Sequence, residues 1–314
     1  MDGLVTALKA LGHADRLRIL ALLSHGELTV SELVRIMDVS QPRVTQYIKA
    51  LESAGIVERL REGSWVFSRL RRGQEGLAAV VASSLAALPD TDPQVVADRA
   101  RLAEVRAARA EEAARFFGDV ANDRGQLGDE YLPQSDIETA MLDALGPGPF
   151  ANLVDLGTGT ARVLTLLADR VECGTGLDLS PDMLRVARHR TSDRPHLHVQ
   201  QGDLHSTGLE SASADLVTLH QVLHYLDDPS DAVAEAARLL RSGGTLLIVD
   251  FAAHDREEFR DTYNHRRLGF TDGDIRAAMT RAGLSLDRVD TVSADGRPDV
   301  KLWRGGKTQV RKQL

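Results

Sequence analysis

The run Asn152-Leu153-Val154-Asp155-Leu156-Gly157-Thr158-Gly159-Thr160-Ala161 decides the fold of the larger part of this chain. A short strand over 153–156 breaks into two glycines separated by one residue, and a helix is expected over 162–170. Glycines at a strand-to-helix turn let the backbone approach a ligand closely at the helix N-terminus. From Asn152 onward short apolar strands alternate with helices, the pattern of a parallel α/β sheet.

A Gly-x-Gly turn by itself is a weak signal, because it also opens dinucleotide-binding folds. Later positions discriminate. The second strand ends Gly176-Leu177-Asp178, 23 residues after Asp155, where an acid can accept hydrogen bonds from both hydroxyls of a ribose. The third is followed by Gly202-Asp203-Leu204, where an acid can accept from an adenine amino group. A fourth strand over 214–219 runs into His220-Gln221-Val222-Leu223-His224-Tyr225-Leu226-Asp227. The turn Arg241-Ser242-Gly243-Gly244 leads to a fifth over 245–250, and 284–289 and 300–303 are candidates for the last two.

In this order the Asp-x-Gly-x-Gly opening, the strand-two acid, the Gly-Asp pair and the Arg-Ser-Gly-Gly turn resemble the class I S-adenosylmethionine (SAM)-dependent methyltransferases. The resemblance implies a seven-strand Rossmann-like domain over 150–314 that binds SAM or its product S-adenosylhomocysteine (SAH). Asp155, Gly157, Gly159, Asp178, Asp203, Leu204 and His220 are then the cofactor-binding residues. Ala161 departs from the family, which often has a third glycine there. His224, in a Leu-His-x-x-x-Asp context, is the candidate catalytic base, since a neutral imidazole can take a proton from a hydroxyl acceptor. The bland alternative is that His220, His224, His254 and His265 line the crevice and bond to backbone. No metal site is expected, because no acid is clearly grouped with these histidines.

Residues 1–88 read as a separate α+β module. Leu17, Ile19, Leu20, Leu22 and Leu23 give one apolar face. Thr29 then caps a short helix, and a turn at Met37-Asp38-Val39 leads to Ser40, the next N-cap. Pro42 falls in the first turn of a helix expected over 41–54, where its missing N–H costs nothing. That helix buries Val44, Ile48 and Leu51 and presents Gln41, Arg43, Thr45, Gln46 and Lys49, with no acid among them. A β-hairpin follows over 56–70. Two helices joined by a tight turn let the second enter a DNA major groove, with the hairpin as a wing carrying Arg59, Arg61 and Arg69. This stretch resembles the ArsR/SmtB winged helix-turn-helix repressors. The resemblance implies a homodimer on an operator, with Ser40, Gln41, Arg43, Thr45, Gln46, Lys49 and Arg61 on double-stranded DNA. Thr29 and Ser31 stand where metal-sensing members carry thiolates, which argues against soft-metal sensing.

Charge supports this division. Residues 1–72 carry 11 Lys and Arg against 8 Asp and Glu, a net of +3, while the whole chain of 314 residues carries −8. The basic end alone suits a phosphate backbone. No apolar run reaches the ~20 residues of a membrane span. Cys173 is the one cysteine, which excludes an intramolecular disulfide, a thiolate metal cluster and the acceptor thiols that arsenic methylation needs. A cytoplasmic location is expected. Residues 89–149 read as a helical linker and lid, with a solvated helix over 94–119 and a segment over 122–145 that would lay Tyr131 and Glu138 near the ligand.

Two readings of function stay open. One is an ArsR-type regulator whose methyltransferase domain senses SAM or SAH, with or without transferring methyl groups. The other is a small-molecule methyltransferase that uses its winged helix to dimerise.

Overall fold

The computed structural model describes residues 2–62, 65–71, 75–124, 132–226, 228–263 and 265–307. They form two compact units, Met1–Ala114 and Arg115–Leu314.

The first unit begins with α1 (Asp2–Leu11) and α2 (Ala14–Leu23), the latter capped by His13, whose Nδ1 accepts from Asp15 N at 3.2 Å. A two-residue strand β1 (Leu28–Thr29) leads into α3 (Val30–Met37). Thr29 and Glu32 cap α3 reciprocally, each side chain accepting from the other's backbone N–H. Asp38, in left-handed conformation at φ 54°, ends it. Then come α4 (Gln41–Ser53), β2 (Val57–Glu62), β3 (Trp65–Leu70), α5 (Glu75–Ala86) and α6 (Pro93–Arg124). Ser40 holds the N-cap position of α4, but its side chain makes no capping bond; Pro42 alone favours the start. The small sheet is ordered β1-β3-β2, so the hairpin gains a third, short strand. Ile19, Leu20, Leu33, Ile36, Val44, Ile48 and Leu51 form its core, all at most 1% exposed. Each such side chain contributes roughly 1.5–3 kcal/mol.

The expected solvated helix over 94–119 is instead docked along its first turns. Leu102 and Val105 are buried, and Asp98 takes a bidentate grip from Arg18 at 2.7 and 2.8 Å. Arg18 also donates to Met37 O at 3.0 Å, and Arg101 donates to Ile36 O at 2.9 Å. Alternating charge along a helix does not distinguish a free face from one whose charges meet a neighbour.

The second unit runs α7 (Gln134–Leu145), β4 (Phe150–Leu156), α8 (Arg162–Leu166), β5 (Val171–Asp178), α9 (Pro181–Arg190), β6 (Leu197–Gln201) and β7 (Ala214–His220). It continues with α10 (Pro229–Leu239), β8 (Leu240–Phe251), α11 (Glu258–Tyr263), α12 (Asp272–Arg281), β9 (Leu284–Val292) and β10 (Val300–Lys307). The seven strands are ordered β6-β5-β4-β7-β8-β10-β9, with β10 antiparallel to both neighbours. This is the seven-strand α/β sheet that the sequence implies. Strand residues alternate between two apolar clusters. Leu153, Leu216, Leu247 and Val249 lie in one; Val154, Val217, Leu246 and Ile248 lie in the other. Both faces are therefore covered, as a parallel sheet requires. Chain order reverses between β4 and β7, the switch point beside which open α/β sheets bind ligands. The α7 helix packs Ile137, Met141 and Ala144 into the core, and Arg288 and Arg304 hold its last carbonyls.

Candidate functional site

The switch point brings the C-terminal ends of β4, β5, β7 and β8 to one edge of the second unit. At the end of β4 the glycine turn is clasped by β5, since Gly157 N and Thr158 N both donate to Leu177 O at 2.8 Å. Gly157 sits at φ 74°, and a Cβ there would fall 2.5 Å from a Val222 methyl. Gly159, at φ 52°, faces open space, with nothing within 4 Å of where a Cβ would stand. Its N–H donates to Asp178 Oδ2 at 2.8 Å, while Asp178 Oδ1 accepts from Ser180 N at 2.9 Å. A carboxylate next to an open glycine turn is an acceptor for the hydroxyls of a ribose.

Asp155 lies beneath the turn, 1% exposed. Its two oxygens accept from the hydroxyls of Thr218 at 2.6 Å and Thr158 at 2.7 Å. Burial pushes its carboxyl up to about 6. Asp203 stands in solvent beyond β6, where the His205 backbone N–H at 2.9 Å and imidazole at 2.7 Å hold its carboxyl below the ordinary value. Leu204 is packed in the apolar cluster with Leu177 and Leu223. Ala161 takes a left-handed conformation at φ 61° rather than joining the helix, a position where glycine would be unstrained. Glu138 is paired with Arg162 at the start of α8, and Tyr131 and Asp227 lie outside the described residues.

The turn after β7 carries the densest chemistry. Asp250, fully buried at the end of β8, accepts from Leu223 N at 3.0 Å and Phe251 N at 2.8 Å. It also faces His224 Nδ1 at 2.7 Å. In the neutral ring the hydrogen that faces the Asp250 carboxylate stands on Nδ1, which leaves the lone pair on Nε2. Nε2 is buried with no hydrogen-bond partner among the described residues, and so is Nε2 of His220. Burial lowers His220 to about 4 and His265 to about 3, so both are neutral at physiological pH. The His265 ring lies 4.1 Å from that of His224, with Phe251 and Phe259 around it. Three histidines thus stand near this turn, but among the described residues no three His, Cys, Asp or Glu side chains are grouped to hold a metal ion.

Sequence reasoning missed two residues here. Asp250 was legible as an acid ending the apolar run Leu246-Leu247-Ile248-Val249. Gln221 had no signal: it takes φ 48°, costly for a residue with a Cβ, and its amide nitrogen is buried without a hydrogen-bond partner among the described residues.

In the first unit, Ser40, Gln41, Arg43, Gln46, Lys49 and Arg61 are exposed and Thr45 is half-buried. Arg43 donates to the Tyr47 hydroxyl at 2.9 Å, which steadies it across one helical turn. Arg69 is corrected as a wing contact. It is tied to Glu58 at 2.5 Å and Glu27 at 3.4 Å, with its side chain only 12% exposed.

Comparison with known proteins finds a family match in each unit. The arsR family of bacterial regulatory proteins matches residues 13–59, and a methyltransferase domain family matches residues 154–248. The chain joins an arsR-family helix-turn-helix to a methyltransferase domain. A 37.1 kDa protein of Streptomyces fradiae transposon TN4556 is 40% identical over 35% of this chain and 33% of its own length. A malonyl-[acyl-carrier protein] O-methyltransferase of Serratia marcescens is 32% identical over 53% of this chain and 61% of its own. A demethylmenaquinone methyltransferase of Renibacterium salmoninarum is 28% identical over 49% of this chain and 65% of its own. The chain therefore spans between a third and two thirds of these relatives. A chain from the Haloferax volcanii complex of the Trm112 methyltransferase activator with a methyltransferase shares the fold, with a TM-score of 0.51 and 23% identity. That likeness covers 62% of this chain and 96% of the other.

Proposed function

We propose that this chain is a DNA-binding regulator whose methyltransferase domain binds SAM or SAH, transfers methyl to a small-molecule acceptor, and conveys cofactor occupancy to the arsR-type unit. The observation that carries the cofactor reading is the grip of Asp178 on Gly159 beside open space. When bound there, SAM supplies an electrophilic sulfonium methyl; the chain supplies alignment and proton handling. Asp178 binds the ribose hydroxyls, and Asp203, the one other carboxylate of the series that faces solvent, receives the adenine amino group. Asp155 keeps the glycine turn in shape through Thr158. Asp250 positions His224 so that Nε2 accepts the acceptor's proton, while the rings of His265, Phe251 and Phe259 keep water out.

The DNA reading rests on the acid-free exposed face of α4, with Gln41, Arg43, Gln46 and Lys49 in reach of base edges and phosphates. Helix α6 offers the path for coupling. Its residues Asp98 and Arg101 are bound to Arg18 and Ile36 O, beside the turn that sets α4, and the same helix continues into the second unit. A homodimer is favoured by Leu4, Val5 and Leu8 of α1, each 43–51% exposed on one helix. A DNA-reading role places the chain in the cytoplasm.

Replacing Arg43 and Lys49 together by Ala tests the division of labour. DNA affinity is expected to fall at least about tenfold at moderate salt while SAH affinity, read by calorimetry, stays unchanged. Loss of both affinities in parallel would defeat the reading.

A further inference from the structure

We infer that Arg43 reads a guanine in the major groove, held to that task by Asp15 and Tyr47, and leaves the phosphates to Lys49. This inference rests on the DNA-binding reading and assigns roles within it. Arg43 stands in the first turn of α4, and the N-terminal residues of such a helix are the ones that reach base edges. Its side chain is 61% exposed, yet it is tied to its own unit. The guanidinium donates to the Tyr47 hydroxyl at 2.9 Å and lies 3.7 Å from the Asp15 carboxylate.

Tyr47 is a firm anchor. It is buried, with its ring 4.8 Å from that of His13. Its hydroxyl gives its one hydrogen to Asp15, so towards Arg43 the oxygen only accepts. Asp15 is fixed in turn. It accepts from Arg18 at 3.0 Å, and Arg18 grips Asp98 at 2.7 and 2.8 Å. Arg43 and Arg18 thus meet Asp15 and Asp98, two positive charges against two negative ones. Lys49, further along the same helix, is exposed and takes part in no ion pair among the described residues.

This balance decides which acceptor suits each side chain. Phosphate binding draws on unbalanced positive charge, which displaces counterions from the duplex. An anion that approaches the Arg43 guanidinium also approaches Asp15, and the two like charges oppose each other. A base edge is neutral and meets no such opposition. In the major groove guanine alone offers two acceptors side by side, O6 and N7, which match two N–H groups of one guanidinium; adenine sets a donor beside its N7. A side chain already held in place also loses less freedom on binding. Lys49, a flexible point charge with no acid beside it, suits a phosphate.

The test uses the full chain and a duplex that the native chain selects from a random pool. A pool from which no duplex is retained, even at low salt, defeats the DNA-binding reading itself. With a selected duplex, affinity is read by fluorescence anisotropy across a salt series, and each guanine is replaced in turn by 7-deazaguanine, which lacks the N7 acceptor. One replacement is expected to weaken the native chain about tenfold. Arg43→Ala should weaken binding to the unmodified duplex by at least about tenfold and feel no further loss on that replacement. Its salt slope should fall by less than half of the ~0.9 that Lys49→Ala removes. Tyr47→Phe keeps the ring against His13 and frees the guanidinium. It should shrink the 7-deazaguanine penalty several-fold, whereas a merely structural role for Tyr47 would weaken both duplexes alike and leave the penalty whole. The inference is overturned if every replacement is tolerated, if Arg43→Ala still feels the replacement in full, if it lowers the salt slope as much as Lys49→Ala does, or if Tyr47→Phe leaves the penalty whole.

Discussion

Asp155 and Asp178 stand 23 residues apart in the sequence, and the fold gives them opposite surroundings. Asp178 reaches the open glycine turn; Asp155 is sealed beneath it with two threonine hydroxyls for company. Burial raises Asp155 to about 6, above its ordinary 3.8. The folded chain therefore holds a proton that the unfolded chain loses as pH rises from 3.8. Stability present below pH 4 declines through pH 6, by about 3 kcal/mol in full. Asp155→Asn keeps one threonine hydroxyl donating to its amide oxygen, turns the other contact into an amide N–H donating to the hydroxyl, and removes the titration. Denaturant unfolding of the methyltransferase unit should show the variant gaining about 3 kcal/mol on the native chain between pH 4 and pH 7. A difference that does not move with pH would contradict this. The places of Asp155, Asp178 and Asp203 at one edge of the sheet were legible because they stand at the ends of successive strands. The role of Asp250 was not, because a dyad with His224 depends on β7 and β8 being neighbours, which spacing does not state. Gln221 was hidden for another reason: a left-handed conformation is imposed by Val249 and leaves no mark in composition.

Among the elements, the hairpin, α4 and the glycine turn were readable from caps, turn residues and apolar period. The strand β1 was not, since two residues carry no period and the strand exists only because β3 pairs with it. The docking of α6 was hidden by its even mixture of charges. Its central tie is the bidentate Arg18–Asp98 pair, with side chains 13% and 5% exposed. Asp98→Ala leaves a buried guanidinium partly uncompensated, though Asp15 and Met37 O still receive it. Chemical denaturation should show a loss of about 2–3 kcal/mol confined to the winged-helix unit. Asp98→Asn, which retains an acceptor, should cost less. An Ala variant as stable as the native chain would show that α6 is not anchored by this pair.

At the scale of the molecule, one chain matches an arsR-family model over residues 13–59 and a methyltransferase-domain model over residues 154–248. The seven strands followed from the series of motifs; their order and the reversed strand β10 did not, because motif spacing does not state which strands pair. The proposed coupling between the two units makes cofactor occupancy a lever on DNA affinity. Such couplings amount to about 1–3 kcal/mol, and they are reciprocal. The most direct test is fluorescence anisotropy of the full chain on a labelled duplex selected for tight binding, titrated with SAH at constant salt. DNA affinity should change at least about fivefold at saturating SAH, and Asp178→Ala, which still binds DNA, should need far more SAH for the same change. A native chain that binds SAH yet holds the duplex with unchanged affinity would contradict the account.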